Sequence, residues 1–172
     1  MRLFDIHVKN YFLVFIFFLL SQSSQALTEG KLAPVFSAKL LDGTSVSLRN
    51  EIGNVVILNF WATWCEPCRQ EMPAFETYYE IHRSEGLRVI TISMDESTED
   101  AAVQKFMSQF TFVGAFSRDA NFKGYGRIWR MPMTFIIDRK GILRKDGSVG
   151  EPKMDLPLLE KLVTPLLVQK SD

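Results

Sequence analysis

The sequence predicts one α/β domain whose central mixed β-sheet is covered by helices on both faces. Three observations carry this. Strand-length apolar runs at 55–60 and 87–93 alternate with helical spacing at 66–83 and 97–109, the pattern of a sheet with crossover helices. A two-strand pattern at 134–138 and 141–145 then precedes a last amphipathic helix from Asp155. Finally, 172 residues at 47% hydrophobic and 23% charged are enough for one core without metals or structural disulfides.

Each element has a local cause. Residues 35–41 and 45–48 flank Asp42-Gly43, a hairpin turn signal. Gly53 closes a turn before the continuous run 55–60, which suits a strand buried on both faces. Met72, Phe75, Tyr78, Tyr79 and His82 share one helical face, and Gly86 ends that helix. Ser97 and the acidic residues behind it cap the helix through Gln109. Residues 110–116 predict a short strand and 121–125 a short helix. Arg139-Lys140-Gly141 turns the second hairpin. Leu158, Leu159, Leu162, Val163, Leu166 and Leu167 form the stripe of the final helix, with Pro165 inside it.

Residues 1–26 stand apart. Arg2 and Lys9 precede ten apolar residues, 11–20, and a small-residue site at Ser24-Gln25-Ala26. This is the layout of a cleaved export signal. Ten residues are short for a membrane span, which needs roughly 20, so an uncleaved anchor is the lesser alternative. The chain therefore divides into a signal, 1–26, and a domain, 27–172. Twenty basic residues balance twenty acidic ones, so nothing marks a nucleic-acid binder.

The chemistry lies in Trp64-Cys65-Glu66-Pro67-Cys68, where the first apolar strand gives way to a helix. A helix N-terminus offers unsatisfied N–H groups and partial positive charge, which stabilise a thiolate. Residues i and i+3 on a helical turn lie within disulfide reach. Pro67 fits the first turn, where its missing N–H costs nothing. Cys65 is then the exposed attacker and Cys68 the shielded resolver. Two inert thiols or half a zinc site are the alternatives. Zinc would need two further ligands, and beyond the signal the sequence holds a single histidine, His82.

Residues 55–73, VVILNFWATWCEPCRQEMP, resemble the active-site block of membrane-tethered or exported thioredoxins, the TlpA/ResA-like group. Ala33-Pro34-Val35-Phe36 and Leu41-Asp42-Gly43 match that group's extra N-terminal hairpin, and 131–138 match a later strand. The resemblance spans about 32–167. It implies a thioredoxin fold, a central mixed sheet with an extra N-terminal β-hairpin, and disulfide reduction outside the cytoplasm, often in cytochrome c or copper-oxidase maturation.

The same resemblance assigns supporting residues. Met131–Pro132 is expected to be cis, with its backbone receiving an extended client chain. Glu71, one turn after Cys68, is linked in that group to proton handling by the cysteines; a partly buried carboxylate can take the resolving thiol's proton. Plain thioredoxins carry a buried acid in the preceding strand, where this chain has Asn59. Glu66 opposes the Cys65 thiolate electrostatically. Trp61 reads as core and Trp64 as a contact platform beside the exposed sulfur. The stretch 125–131 departs from the family, with Trp129-Arg130 making the loop before Pro132 bulkier and more basic.

The leading reading is an exported, periplasmic or otherwise extracytoplasmic reductase of client disulfides, re-reduced by a membrane thiol carrier. It needs no cofactor beyond the Cys65–Cys68 disulfide and no bound metal. It contacts the membrane only if residues 1–26 remain attached. A disulfide-donating oxidase is the second reading, since CxxC alone does not set direction. A copper-handling protein, using both thiols with Met131 or Met133, is the third.

Overall fold

A computed structural model describes residues 27–169, so the expected export signal lies outside the described residues. Strands β1 (Ser37–Leu40) and β2 (Ser45–Ser47) pair antiparallel as the predicted hairpin. Asp42 Oδ1 accepts from the Thr44 backbone N–H at 2.9 Å and its hydroxyl at 2.7 Å, and Gly43 takes φ +87°. A short acidic side chain followed by a residue free to adopt positive φ is what this tight turn requires.

The centre of the molecule is β3 (Val55–Trp61), with all seven residues buried. It runs parallel to β4 (Leu87–Ser93) and antiparallel to β6 (Met133–Ile137). Helix α1 (Glu66–His82) connects β3 to β4, and α2 (Asp100–Met107) connects β4 to β5 (Val113–Asn121). Strand β7 (Leu143–Lys145) closes the second hairpin, and α3 (Leu156–Val168) ends the fold. The strand order is β2-β1-β5-β4-β3-β6-β7. This is the thioredoxin architecture with the added N-terminal hairpin that the resemblance implies.

Alternation along β3 divides the interior in two. Val55, Ile57 and Trp61 join one core with Cys68, Met72 and Phe75 of α1, Val103 and Met107 of α2, and Leu159 and Val163 of α3. Val56, Leu58 and Phe60 join the other, with Phe36, Leu48, Tyr125 and Phe135. All three α-helices thus bury their apolar stripes in one core, and the helical cover expected on both faces is α-helical on this one and 3-10 on the other. The physical reason is chirality. The crossovers β3–α1–β4 and β4–α2–β5 step the same way across the sheet, and right-handed connections then place both helices on one face. The second face is covered by short 3-10 turns, Leu48–Glu51 and Lys123–Tyr125. There Phe60 packs edge-on to Phe122 at 5.0 Å and Tyr125 to Phe135 at 4.9 Å.

Other boundaries shift for identifiable reasons. Strand β5 runs to Asn121, beyond the predicted 110–116, because its polar second half pairs with β1, Ala38 opposite Ala120 and Ser37 opposite Asn121. Helix α2 is shorter than predicted, its first turn being 3-10 (Ser97–Glu99). Pro73 and Pro165 are accommodated inside continuous helices. Asp155 caps α3 by accepting from the Leu158 N–H at 3.0 Å, with Pro157 in the first turn.

One glycine is fixed by packing. A Cβ at Gly147 would lie 2.8 Å from both the backbone nitrogen and oxygen of Thr134, and backbone cannot give way as a side chain can. Gly147→Ala is predicted to lower stability by about 1–3 kcal/mol, as overpacking does, measured as the urea midpoint at constant m. An unchanged midpoint would mean the 146–148 segment is free to move off β6.

Candidate active site

The site grows from the junction between β3 and α1. The chain leaves the sheet at Trp61 and enters the helix at Glu66. Asp95, buried just beyond β4, holds the turn: both carboxylate oxygens accept from the Thr63 N–H, at 3.1 and 3.0 Å, and the Ser93 hydroxyl donates to Oδ2 at 2.8 Å. The Met94 N–H donates to the Trp61 carbonyl at 2.8 Å. These bonds tie the loop to the end of a fully buried strand.

Cys65 is the N-cap of α1, its sulfur accepting from the Cys68 N–H at 3.3 Å, and Pro67 sits in the first turn. Cys65 and Cys68 form a disulfide with Cα atoms 5.3 Å apart. Cys65 retains 6% exposure and Cys68 none. Cys65 is thus the more accessible of the pair. Trp64 is 69% exposed beside the disulfide, whereas Trp61 is fully buried against Phe106, with ring centroids 5.1 Å apart. Glu66 faces solvent and pairs with Arg69 at 3.0 Å, so its field on Cys65 is partly offset.

Pro132 is buried, and the Met131–Pro132 bond is cis. Phe60 of β3 lies opposite Met133, so one further step brings Pro132 level with Trp61, at the sheet end that carries the disulfide. The basic loop before it behaves differently from the sequence expectation. Arg130 turns inward, donating to the Gly147 carbonyl at 2.8 Å and the Gly150 carbonyl at 3.1 Å. Its charge therefore braces the 147–150 segment, and Trp129 beside it remains exposed.

Glu71 is fully buried, which goes beyond the partial burial read from sequence. On α1 it lies one turn after Cys68, a spacing that brings side chains to roughly 5–6 Å between Cβ atoms. Its Oε1 accepts from Asn59 Nδ2 at 2.7 Å and its Oε2 from the Met154 N–H at 2.9 Å. Desolvation pushes its pKa up to about 8, against the lowering effect of those two donors and of Lys153 and Lys145. Burial, followed by the neighbouring Arg130 charge, in turn lowers the Lys145 pKa.

Asn59 and Thr134 are the residues sequence reasoning left unassigned. Asn59 faces the helix side of β3, in register with Thr91 on β4 and Thr134 on β6. Its Nδ2 donates to Thr134 Oγ1 at 3.0 Å as well as to Glu71. The available signal was one amide in an otherwise apolar buried run.

Residues 28–163 match the redoxin family model. That match covers most of the chain and decides the matter. The chain belongs to the redoxin family. Within it, the chain is 34% identical over 139 residues to the thiol-disulfide oxidoreductase ResA of Bacillus thuringiensis subsp. konkukian, covering 79% of each protein. It is 35% identical over 146 residues to the thioredoxin-like protein YneN of Bacillus subtilis, covering 79% of this chain and 84% of that one. A solved thiol:disulfide interchange protein of the thioredoxin family from Chlorobium tepidum superposes with TM-score 0.68 at 27% identity, over 83% of this chain and 99% of that one. This redoxin is a TlpA/ResA-like thiol–disulfide oxidoreductase.

The raised pKa of Glu71 links the redoxin's stability to pH. The folded state binds this proton more tightly than the unfolded chain, whose ordinary value is near 4.5. The stabilisation is therefore complete below pH 4.5 and is lost as pH rises through about 8. Between those limits the oxidised protein should lose up to about 1.4 kcal/mol of stability per pH unit from this group. Urea titrations of Glu71→Gln should lack that component. An identical pH slope in both proteins would show that the Glu71 proton is not held.

Proposed function

We propose that this redoxin is an exported reductase of client disulfides, in which Cys65 attacks, Cys68 resolves and Glu71 carries the proton between half-reactions. The observation that carries the reading is the fully buried acid one turn beyond the fully buried cysteine. The Cys65 thiolate attacks one client sulfur, the client S–S bond breaks, and the second client sulfur leaves and takes a proton. Cys68 gives its proton to the Glu71 carboxylate and attacks the Cys65 sulfur. The first client sulfur then leaves as a thiolate, so two electrons have passed to the client, whose sulfurs take their protons from solvent while the Cys68 proton stays on Glu71.

The oxidised enzyme then holds a proton at Glu71, in keeping with a pKa of about 8. When a thiol donor re-reduces the disulfide, Cys68 leaves as a thiolate and recovers that proton. Direction follows from the same charges. An oxidant such as DsbA is strong because its reduced form is stabilised. A carboxylate beside Cys68 and Glu66 between the cysteines instead disfavour the thiolate, which supports a reducing role. The exposed Trp64 and the Pro132 backbone suit an extended client segment.

In this reading a membrane thiol carrier supplies the electrons, and cytochrome c or copper-oxidase maturation is the type of client pathway. No helix among the described residues is long and apolar enough to cross a membrane. Residues 27–172 act outside the cytoplasm after removal of 1–26. Edman sequencing of the exported protein should therefore begin at Leu27, and an intact residue 1 in the membrane fraction would replace release with anchoring.

Roles are tested by trapping. Cys68→Ser should accumulate mixed disulfides with clients through Cys65, and Cys65→Ser should lose turnover by at least a hundredfold, seen by non-reducing electrophoresis and disulfide reduction assays. Adducts formed through Cys68 in Cys65→Ser would reverse the assignment.

A further inference from the structure

Asn59 sits at the junction of three buried groups, and its own hydrogen bonds are lopsided. The two hydrogens of Nδ2 are both used, toward Glu71 Oε1 at 2.7 Å and Thr134 Oγ1 at 3.0 Å. Its Oδ1 is buried without a partner. An orphaned buried amide oxygen costs free energy, so the orientation of this amide is decided entirely by Glu71 and Thr134. Both contacts lie on the same side of the amide, and its two ends are nearly the same size.

The carboxyl group restricts the choice further. Glu71 Oε2 faces a backbone N–H, that of Met154 at 2.9 Å, which can only donate. Oε2 must therefore stay an acceptor whether or not Glu71 carries a proton. The carbonyl oxygen of an acid is the better acceptor, so a proton on Glu71 favours Oε1, where it meets Asn59. An N–H of Asn59 and an O–H of Glu71 cannot both donate across that contact. The arrangement with Nδ2 toward Oε1 fits the carboxylate alone.

We propose that Asn59 is a positioning residue for proton exchange, presenting its NH2 to the Glu71 carboxylate and, after a half-turn of its amide, its oxygen to the Glu71 carboxylic acid. In the turned state Oδ1 accepts from Glu71 Oε1–H and from the Thr134 hydroxyl, using both lone pairs. Thr134 changes from acceptor to donor by rotating its hydroxyl, and the turned NH2 takes the partnerless site of Oδ1, a loss that the new Glu71 O–H bond offsets. The strand amide thus gives the buried acid a partner in both protonation states, which a carboxylate or an aliphatic side chain at 59 does not. The protonation state is thus relayed from Glu71 through the Asn59 amide to the Thr134 hydroxyl on β6.

The charged groups facing Glu71 do not replace this function. Lys145 of β7 and Lys153 of the segment before α3 lower its pKa by charge alone, and the Cys65–Cys68 pair lies on its own helix. Asn59 of β3 and the Met154 N–H are its hydrogen-bond partners. Burial favours the neutral acid over most of the physiological range, so the turned amide is populated whenever Glu71 stores its proton.

The inference rests on the proton-carrying role of Glu71 given above, and its test reads chemical shifts, so a failed redox assay and a failed relay give different results. In oxidised wild-type protein, the Asn59 side-chain NH2 resonances and the Glu71 carboxyl carbon should titrate with one shared midpoint. In Asn59→Leu the NH2 donor to the carboxylate is gone, and donors to charged acceptors are the stronger ones. The Glu71 midpoint should therefore rise by about one pH unit, a tenfold gain in proton affinity. Thiol alkylation by iodoacetamide in the reduced variant should shift in its pH profile as well. Asn59 resonances that stay flat through the Glu71 titration would overturn the relay, and the wild-type experiment needs no variant to fold. A folded Asn59→Leu with an unmoved Glu71 midpoint would reduce Asn59 to a packing residue.

Discussion

The turn from β3 into α1 is the constraint on which the site depends. A strand buried on both faces cannot shift along its axis without exposing one core or the other, so the position of Trp61 is fixed by the whole sheet. Asp95 then ties Thr63 to the end of the neighbouring parallel strand. Cys65 is consequently delivered to the first turn of a helix, where its sulfur meets the Cys68 N–H. Helix polarity, disulfide reach and the exposure difference between the two sulfurs all follow from that delivery.

The same strand carries a polar cost across the sheet. Thr91, Asn59 and Thr134 lie in register on three adjacent strands, facing the helices, in a core otherwise built of aliphatic and aromatic side chains. Replacing such groups with apolar residues of similar shape is often neutral or stabilising. Glu71 explains Asn59 and, through it, Thr134, since a buried acid needs hydrogen-bond partners, whereas Thr91 donates to the Val113 carbonyl at 3.3 Å. A proton held in a dry site is released only when a neighbouring group can take it. Cys68, one turn away and equally buried, is placed to do so.

Most of the fold was legible because its signals were local. The Asp42-Gly43 turn, the 55–60 run, the helix stripe from Met72 to Tyr78 and the Asp155 cap each need only a few neighbouring residues. What was not legible depended on partners distant in sequence. The second half of β5 has weak strand propensity and is a strand because β1 pairs with it. Placement of α1 and α2 on one face follows from crossover direction, which pattern alone does not give. In the site, the cysteines and Pro132 were evident from motif and resemblance. The full burial of Glu71 was not, since it needs Met154, 83 residues away, and the sheet beneath. Arg130 read as a basic loop residue because its carbonyl partners at 147 and 150 could not be foreseen from sequence.

Acidic neighbours around a dithiol have a thermodynamic consequence as well as a kinetic one. They withhold stabilisation from the reduced, thiolate-bearing form and push the couple toward a reducing potential. The most direct measurement is the reduction potential of the Cys65–Cys68 couple at pH 7, equilibrated against glutathione or dithiothreitol buffers. The account predicts a value below about −230 mV, in the thioredoxin range. A value near about −120 mV, that of a disulfide donor, would contradict it.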